Sequence, residues 1–278
     1  MAGDVRDTVR GVMSSQKESP EFLYHYTSIN NFALILKNKT IRFSCLENLN
    51  DLSEAETSDL GRFGKYVFVS CWTDTKEEHI PLWNLYTPNM AGIRIKLPAD
   101  PFERYEFKGD KNKGTFGYYP DSIVPEEEMI SKNYMVFPAS FKLHEISYTD
   151  DVTLLKPTVY KKTNEGETFQ LELLGKHKAK EWTFEQEWRY LFWIVPSIPV
   201  DPSDKHYKER YSRAFREAIN ARELPINQYF LKIRDNAFEQ MEVVLGPKHT
   251  EGNLITVDAL LKTYNPKAKL KLSTLKIR

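Results

Sequence analysis

Two glutamates, Glu185 and Glu187, stand one residue apart at the start of an apolar run. Side chains alternate between the two faces of an extended chain, so we expect both glutamates to share one face with Arg189. Neighbouring carboxylates raise each other's pKa, which suits a site that holds a ribose or steers a nucleophile. A pair of solvated glutamates at a strand edge is the alternative interpretation of this segment.

Two cations, Lys180 and Arg189, flank this acid pair. As structural groups they would be counter-charges for the glutamates. As functional groups they would contact a pyrophosphate or a nucleic-acid backbone. Arg42 and Lys37 could contribute to the same surface.

Two further clusters carry residue types that are common in binding sites. In the segment LYHYTS, His25 and Thr27 fall on one face of a predicted strand. Trp72 ends a later strand, and Trp83 and Tyr86 lie three residues apart on one face of a predicted helical turn. The alternatives are a structural histidine beside tyrosines and aromatic side chains that only pack in the core.

Signatures of several large enzyme classes are missing from the sequence. It contains no GxSxG, no Walker loop, no HExxH, and no GxGxxG after a predicted strand. Its two cysteines, Cys45 and Cys71, have no nearby pair of histidines, so we expect no metal site. Such cysteine usage is typical of a reduced, cytosolic protein.

The composition is that of an ordinary globular protein, with 41% hydrophobic and 28% charged residues over 278 positions. Lys and Arg number 39, as do Asp and Glu, so a nucleic-acid partner would need a local basic patch. The start of the chain is too polar for a secretory signal, and the apolar run from Tyr190 to Val195 is too short to cross a bilayer. We therefore expect a cytoplasmic protein that does not use the membrane.

The elements that must position these residues mix strands and helices without regular β-α-β alternation, which favours an α+β fold. Aromatic and β-branched runs predict strands at 22–27, 41–44, 65–72, 91–97, 141–149, from about 187, and at 229–233, 241–246 and 270–277. Apolar spacing predicts helices after an N-cap at Ser28, at 81–86, 166–182 and 205–222, near Asn236 and at 254–264. Residues 1–20 are interpreted as an N-terminal arm, residues 21–278 as one domain, and the turn-rich segment 100–140 as an insertion or lid.

The order of these motifs resembles DUF2971, a family of bacterial proteins of unknown function. The resemblance extends from about residue 22 to 246 and rests on LYHYTS, LENLNDLSE, SCWT, LWNLY, AGIRI and KEWTFEQEWR. Where that family usually has Asn-Asp-Pro, this chain has Asn50, Asp51 and Leu52.

The layout is also similar to that of the ADP-ribosyltransferases, which implies a single domain of mixed and antiparallel sheets with flanking helices. By that resemblance His25 would bind the adenosine ribose of NAD with Thr27 beside it, and Tyr86, or else Trp83, would stack on nicotinamide. Glu187 would be the late glutamate of the family's E-x-E pair and Glu185 its first member. Tyr26 stands where the family usually has glycine.

The resemblance also implies a reaction and partners. Cleavage of the nicotinamide–ribose bond passes through an oxocarbenium-like state, which a carboxylate near the 2′-hydroxyl stabilises. Glu187 would supply that carboxylate, and Glu185 would orient or deprotonate the acceptor. The acceptor would be RNA, DNA or protein, and the protein a bacterial toxin or phage-defence effector with an antitoxin or other inhibitory partner. A non-catalytic interaction module of the same fold and an NAD glycohydrolase are the alternatives.

Overall fold

The computed structural model describes residues 19–107, 119–163, 166–198, 206, 210, 213–214, 216–217 and 224–277. These residues form a mixed α+β fold with one large mixed sheet and few helices, which confirms the fold class expected from the sequence. The arm predicted for residues 1–20 and the helix predicted for 205–222 lie largely outside the described residues.

The described strands are named in chain order. They are β1 Phe22–Thr27, β2 Thr40–Cys45, β3 Glu56–Thr57, β4 Gly61–Arg62, β5 Val67–Thr73, β6 Ile93–Pro98, β7 Tyr105–Phe107, β8 Tyr119–Ser122, β9 Tyr134–Glu145, β10 Ser147–Thr149, β11 Tyr160–Thr163, β12 Gly166–Phe169, β13 His177–Ala179, β14 Glu187–Pro196, β15 Gln228–Lys232, β16 Glu242–Leu245 and β17 Lys269–Leu272.

The helices of the described residues are mostly short. The first two α-helices are α1 Ile29–Asn38 and α2 Ile80–Tyr86, and the others are Glu126–Met129, Val152–Leu155, Asp235–Glu239 and Glu251–Tyr264. Single 3-10 turns fill several connections, at Leu46–Asn48, Leu52–Ala55, Phe63–Tyr66, Pro88–Met90, Leu171–Leu173 and Lys180–Glu185.

The main sheet of the described residues has nine strands. Seven follow one another in the order β15-β2-β5-β1-β6-β16-β17, while β14 pairs with the other edge of β5 and also with β9. All neighbours in this sheet are antiparallel except β16 and β17, which run parallel. β14 is therefore central, and nine of its ten residues are buried.

The sheet forks at β5. β2 pairs with the first half of β5, through Ser44 with Val69 and Cys45 with Phe68. β1 pairs with the same edge of β5 only at its end, through Tyr24 with Thr73. Between these two points β1 and β2 diverge, so a cleft opens over the middle of β5.

Local sequence signals explain how the chain leaves β1 and returns as β2. The Ser28 hydroxyl accepts a hydrogen bond from the Asn31 backbone N–H at 3.1 Å and caps α1, as the sequence predicts. α1 turns its apolar face, with Phe32 and Leu36, into the core. The helix ends at Lys39, whose φ of 52° is left-handed and directs the chain into β2.

The helix predicted for residues 166–182 is wrong. The structure has β12, a 3-10 turn, β13 and the start of a second 3-10 turn there. Of the residues whose apolar spacing indicates a helix, Phe169 and Leu174 pack in a second core cluster, whereas Leu173 is exposed. Gly175, with a φ of 75°, ends the first 3-10 turn, and parallel pairing with β10 then holds β13 extended.

The turn-rich segment predicted for residues 100–140 is described only in part. It contains the β7–β8 hairpin, the short helix Glu126–Met129 and the first residues of β9. Since β9 pairs with β14 from Tyr134 onward, the last residues of this segment belong to the main sheet.

Candidate active site

The cleft at the fork of the sheet has a volume of about 570 Å³, which is within the range of ligand sites. β1 and α1 form one wall, β2 and β15 form the other, and Ser70 and Cys71 of β5 lie at its base together with Glu187. A smaller cavity of about 70 Å³ adjoins it, and the residues lining both are His25, Tyr26, Cys71, Tyr86 and Glu187. The two spaces therefore meet at Glu187.

The expectation that Glu185 belongs to an extended chain with Glu187 and Arg189 is wrong. Glu185 ends the 3-10 turn Lys180–Glu185, and Gln186 adopts left-handed φ and ψ of 45° and 54° before β14 begins. The Thr73 hydroxyl donates to the Gln186 carbonyl at 3.0 Å, and the Thr75 hydroxyl contacts the Gln186 amide oxygen at 2.5 Å. These contacts stabilise a backbone conformation that residues other than glycine rarely adopt.

A buried lysine, Lys178 of β13, nevertheless brings the two glutamates together. Its Nζ lies 2.5 Å from Glu185 Oε2, 3.4 Å from Glu187 Oε2 and 3.5 Å from Glu54 Oε1. The same ammonium lies 4.4 Å from the centre of the Trp182 ring. One cation thus contacts three carboxylates from three separate segments.

Arg189 completes the charge cluster. Its Nε and Nη2 donate to the two oxygens of Glu187 at 2.6 and 2.9 Å, and its Nη1 donates to Glu54. This side chain is 0% exposed, and each of the other four charged residues of the cluster is 6% exposed or less. With Lys178 and Arg189 against Glu54, Glu185 and Glu187, the cluster carries a formal charge of −1 when all five groups are ionised.

The environments of the two glutamates move their pKa values in opposite directions. Burial would raise the pKa of Glu187, but Arg189 and Lys178 together outweigh burial and lower it below its usual range. Burial raises the pKa of Glu185, and repulsion from Glu187 adds to burial, against the attraction of Lys178. Such a split is typical of acid pairs whose members have different roles.

Three neighbouring side chains complete the surroundings of the acid pair. The Tyr86 hydroxyl donates to Glu185 Oε1, and burial together with that carboxylate raises the pKa of Tyr86. The Glu187 backbone N–H donates to the Tyr148 hydroxyl at 2.8 Å. Burial, followed by the charge of Glu187, raises the pKa of the Cys71 thiol, which favours its protonated form.

His25 and Thr27 both line the cleft, and so does Tyr26, which the sequence places on the opposite face of β1. His25 Nδ1 lies 2.8 Å from the Cys71 carbonyl oxygen, to which it donates, so Nε2 is left as an acceptor. Burial lowers the pKa of His25 and favours this neutral form. The imidazole also lies against the Trp72 ring, with ring centres 5.0 Å apart.

Two residues that the sequence suggested for the site lie elsewhere. Trp83 is fully buried, packs edge-on against Tyr26 at 4.9 Å and donates its indole N–H to Glu78 at 3.1 Å. Its role in the structure is therefore core packing, because neither cavity is lined by it. The prediction that Lys180 is a counter-charge of the acid pair is wrong. Lys180 is exposed and pairs with Asp150 at 2.5 Å.

Lys178, Glu54 and Tyr148 are site residues that the sequence analysis missed. Lys178 is one of three lysines at alternate positions, and the sequence does not indicate which of them is buried. Glu54 lies in the LENLNDLSE segment used for the family resemblance, but its partner Arg189 is 135 residues away. Only the fold brings these charges together.

No described helix is long and apolar enough to cross a bilayer. Within the same part of the chain, no group of three or more His, Cys, Asp or Glu side chains is arranged to hold a metal ion. Comparison of the chain with protein-family models, with curated proteins and with solved structures finds no match.

Proposed function

We propose that this protein is an ADP-ribosyltransferase, with the corresponding fold, that uses NAD to modify a macromolecule. The observation that carries the proposal is the pair Glu185 and Glu187, held side by side by Lys178 where the cleft meets the smaller cavity. Their opposite pKa shifts suit one permanently charged group and one proton acceptor.

The groups around the cleft suit a dinucleotide. The volume of about 570 Å³ is that of a small-molecule site, and its walls offer the Nε2 acceptor of His25 and the Thr27 hydroxyl for a ribose. The ring of Tyr86 lines both spaces and would face nicotinamide. The Glu187 carboxylate, also shared by both spaces, would accept hydrogen bonds from ribose hydroxyls.

The two glutamates would then have distinct roles. NAD supplies the ADP-ribosyl group and nicotinamide as the leaving group. Glu187, kept ionised by Arg189 and Lys178, would stabilise the positive charge that develops on the ribose. Glu185, with its raised pKa, would take the proton of the attacking acceptor group. Arg189 would act through Glu187, because its side chain is 0% exposed and donates two hydrogen bonds to that carboxylate.

The direct test is incubation of the purified protein with NAD labelled in the adenylate half, in the presence of host RNA, DNA and protein. Released nicotinamide and labelled polymer are measured separately. We expect Glu187→Gln and Glu185→Gln to abolish labelling. Glu181→Gln, an exposed glutamate in the turn that ends at Glu185, is the matched control. If the unmodified protein neither releases nicotinamide nor labels a polymer, the transferase proposal is wrong.

We also propose that the enzyme acts as a bacterial toxin or phage-defence effector that an antitoxin or other partner restrains. Expression in a bacterial host should then slow growth, and Glu187→Gln should remove the effect at equal protein level. Growth inhibition that is the same for both proteins would contradict this role.

Two alternatives have distinct outcomes in the same assay. An NAD glycohydrolase would release nicotinamide without labelling any polymer. A non-catalytic module of the same fold is favoured by one observation, the low exposure of Glu185 and Glu187, each of which is 4% exposed within a paired charge cluster. Such a module would release no nicotinamide and would keep its binding or growth effect when Glu187 is replaced.

A further inference from the structure

The wall of the cleft formed by β2 and β15 carries an exposed aromatic residue beside an exposed cation. Phe230 of β15 is 52% exposed and lies opposite Arg42 of β2 in the strand pairing. Residues opposite each other in antiparallel strands place their side chains on the same face, and both of these line the cleft. An exposed ring next to a guanidinium is suited to stack a base and hold its phosphate.

Polar and charged residues continue along this face of the two strands on both sides of Phe230 and Arg42. Gln228 and Lys232 flank Phe230 at alternate positions of β15, about 7 Å away on either side. Their cross-strand partners on β2 are Ser44 and Thr40. We call the face made by Thr40, Arg42, Ser44, Gln228, Phe230 and Lys232 the β2–β15 platform; it contains two cations, three neutral polar residues, one aromatic residue and no acid.

The cations of the β2–β15 platform are available for a ligand. Neither Arg42 nor Lys232 has an ion-pair partner among the residues that the structure describes, whereas nearby Lys39 pairs with Asp235. A chain with no net charge has no bulk attraction for a polyanion, so a local patch of this kind is needed to bind one.

We propose that the β2–β15 platform seats a single-stranded nucleic acid, which is the acceptor of the transferase reaction. The proposal rests on the proposed function, because it names the acceptor class of that same site. Bases would stack on Phe230, and phosphates would contact Arg42 and Lys232. Single strands fit better than a duplex because only unpaired bases expose a face for stacking. Since all platform residues except Lys232 line one cleft with Glu187, a nucleotide bound here places its neighbours near the acid pair.

The test measures binding without NAD, by fluorescence anisotropy of labelled RNA and DNA 12-mers at several salt concentrations. We expect Phe230→Ala to weaken binding about tenfold and Phe230→Trp to preserve it. Arg42→Glu should also weaken binding about tenfold and reduce the salt dependence by about one ion. Arg42→Lys should keep most of the binding affinity. The RNA and DNA arms show which nucleic acid is preferred.

Matched controls are available on β17, the strand at the other end of the seven-strand order. Lys269→Glu reverses an exposed charge there, and Leu272→Ala removes a side chain that is 47% exposed. Both should leave affinity within about twofold of the original protein. Circular dichroism confirms that each variant is folded, and Phe230→Ala and Arg42→Glu each test the platform separately if the other does not fold.

Two results would overturn the proposal. One is that neither oligonucleotide binds, or that the platform variants bind them as well as the controls do. The other is that Phe230→Ala and Arg42→Glu weaken the affinity for NAD in calorimetry and leave oligonucleotide affinity unchanged, which would assign the platform to the adenylate half of NAD. In both cases nicotinamide release by the unmodified protein still decides the proposed function separately.

Discussion

At the scale of single residues, the site depends on two buried cations that are shared among three buried carboxylates. Lys178 contacts Glu54, Glu185 and Glu187, and Arg189 contacts two of the same three. Removing a charge from water costs several kcal/mol, and only close opposite charges offset that cost. Removal of one cation should therefore leave buried carboxylates without a counter-charge and destabilise the whole cluster.

We predict that Lys178→Met lowers the free energy of unfolding by about 3–5 kcal/mol, because three buried carboxylates then share one cation. Urea denaturation followed by circular dichroism measures the change. Lys180→Met, two residues away, removes the exposed pair with Asp150 and should leave the midpoint unchanged. Equal effects of the two substitutions would contradict the central role of Lys178.

A second prediction concerns pH. If Glu185 is the general base, nicotinamide release that depends on the acceptor falls as pH drops through the raised pKa of Glu185, because the carboxylate is then protonated. The hydrogen bond from Tyr86 lowers that pKa, so Tyr86→Phe should shift the acid limb of the pH–rate profile to higher pH. Tyr264→Phe, on the C-terminal helix, is the control. A limb that stays in place or moves to lower pH in the Tyr86 variant would rule out this role.

The sequence singled out several candidate residues by their distinctive types. The structure places His25, Thr27, Tyr86, Glu185 and Glu187 around the two connected spaces. The spacing arguments were less accurate, because Trp83 does not share the cavity face with Tyr86 and Glu185 is not extended. The sequence did not indicate Lys178 or Glu54. Their role comes from burial among opposite charges distant in sequence, and composition and spacing carry no information about that.

At the scale of elements, strands rich in aromatic and β-branched residues were the most predictable. The strands β1, β2, β5, β6 and β14 all occur where the sequence indicates them, because each is buried against the core. β13 was missed because three residues are too few to show alternation. Its extended form depends instead on pairing with β10 and on the ion pairs of Lys178.

A third prediction belongs to the junction of β1 and β6. A Cβ on Gly92 would lie 2.4 Å from the Thr27 carbonyl oxygen and 2.5 Å from Thr87 Cβ, which is closer than non-bonded atoms approach. Gly92→Ala should therefore cost about 1–3 kcal/mol of stability and displace the end of β1 that carries Thr27. Thermal unfolding measures the loss. Gly252→Ala, where the nearest atom would be 3.6 Å away, should be neutral or slightly stabilising.

At the scale of the whole molecule, β5 and β14 connect the two arms of the fork. β14 is paired on both edges, and β5 is paired along one edge with β14 and at both ends of the other with β2 and β1. The α+β class follows from the sequence, but the fork does not. The fork depends on β1 and β2, which pair with the same edge of β5 at different residues. The register of that pairing is set by packing in three dimensions.

A fourth prediction follows from this connectivity. In hydrogen exchange, amides of β14, and those of β5 that pair with β14, should exchange most slowly, because they open only when the main sheet unfolds. Those of the edge strands β15 and β17 should exchange earlier. Faster exchange in β14 than in β15 would contradict the central position of β14.

The fork also leaves part of β5 without a neighbouring strand. Between Val69, where pairing with β2 ends, and Thr73, where pairing with β1 occurs, that edge of β5 has no strand partner among the described residues. The imidazole of His25 occupies part of this gap and binds the Cys71 carbonyl, as a backbone N–H would in a continuous sheet. The His25 side chain therefore has a structural position in the sheet in addition to the ribose contact proposed for it. A shorter residue at this position would leave the Cys71 carbonyl without this hydrogen bond and would open the gap beside β5.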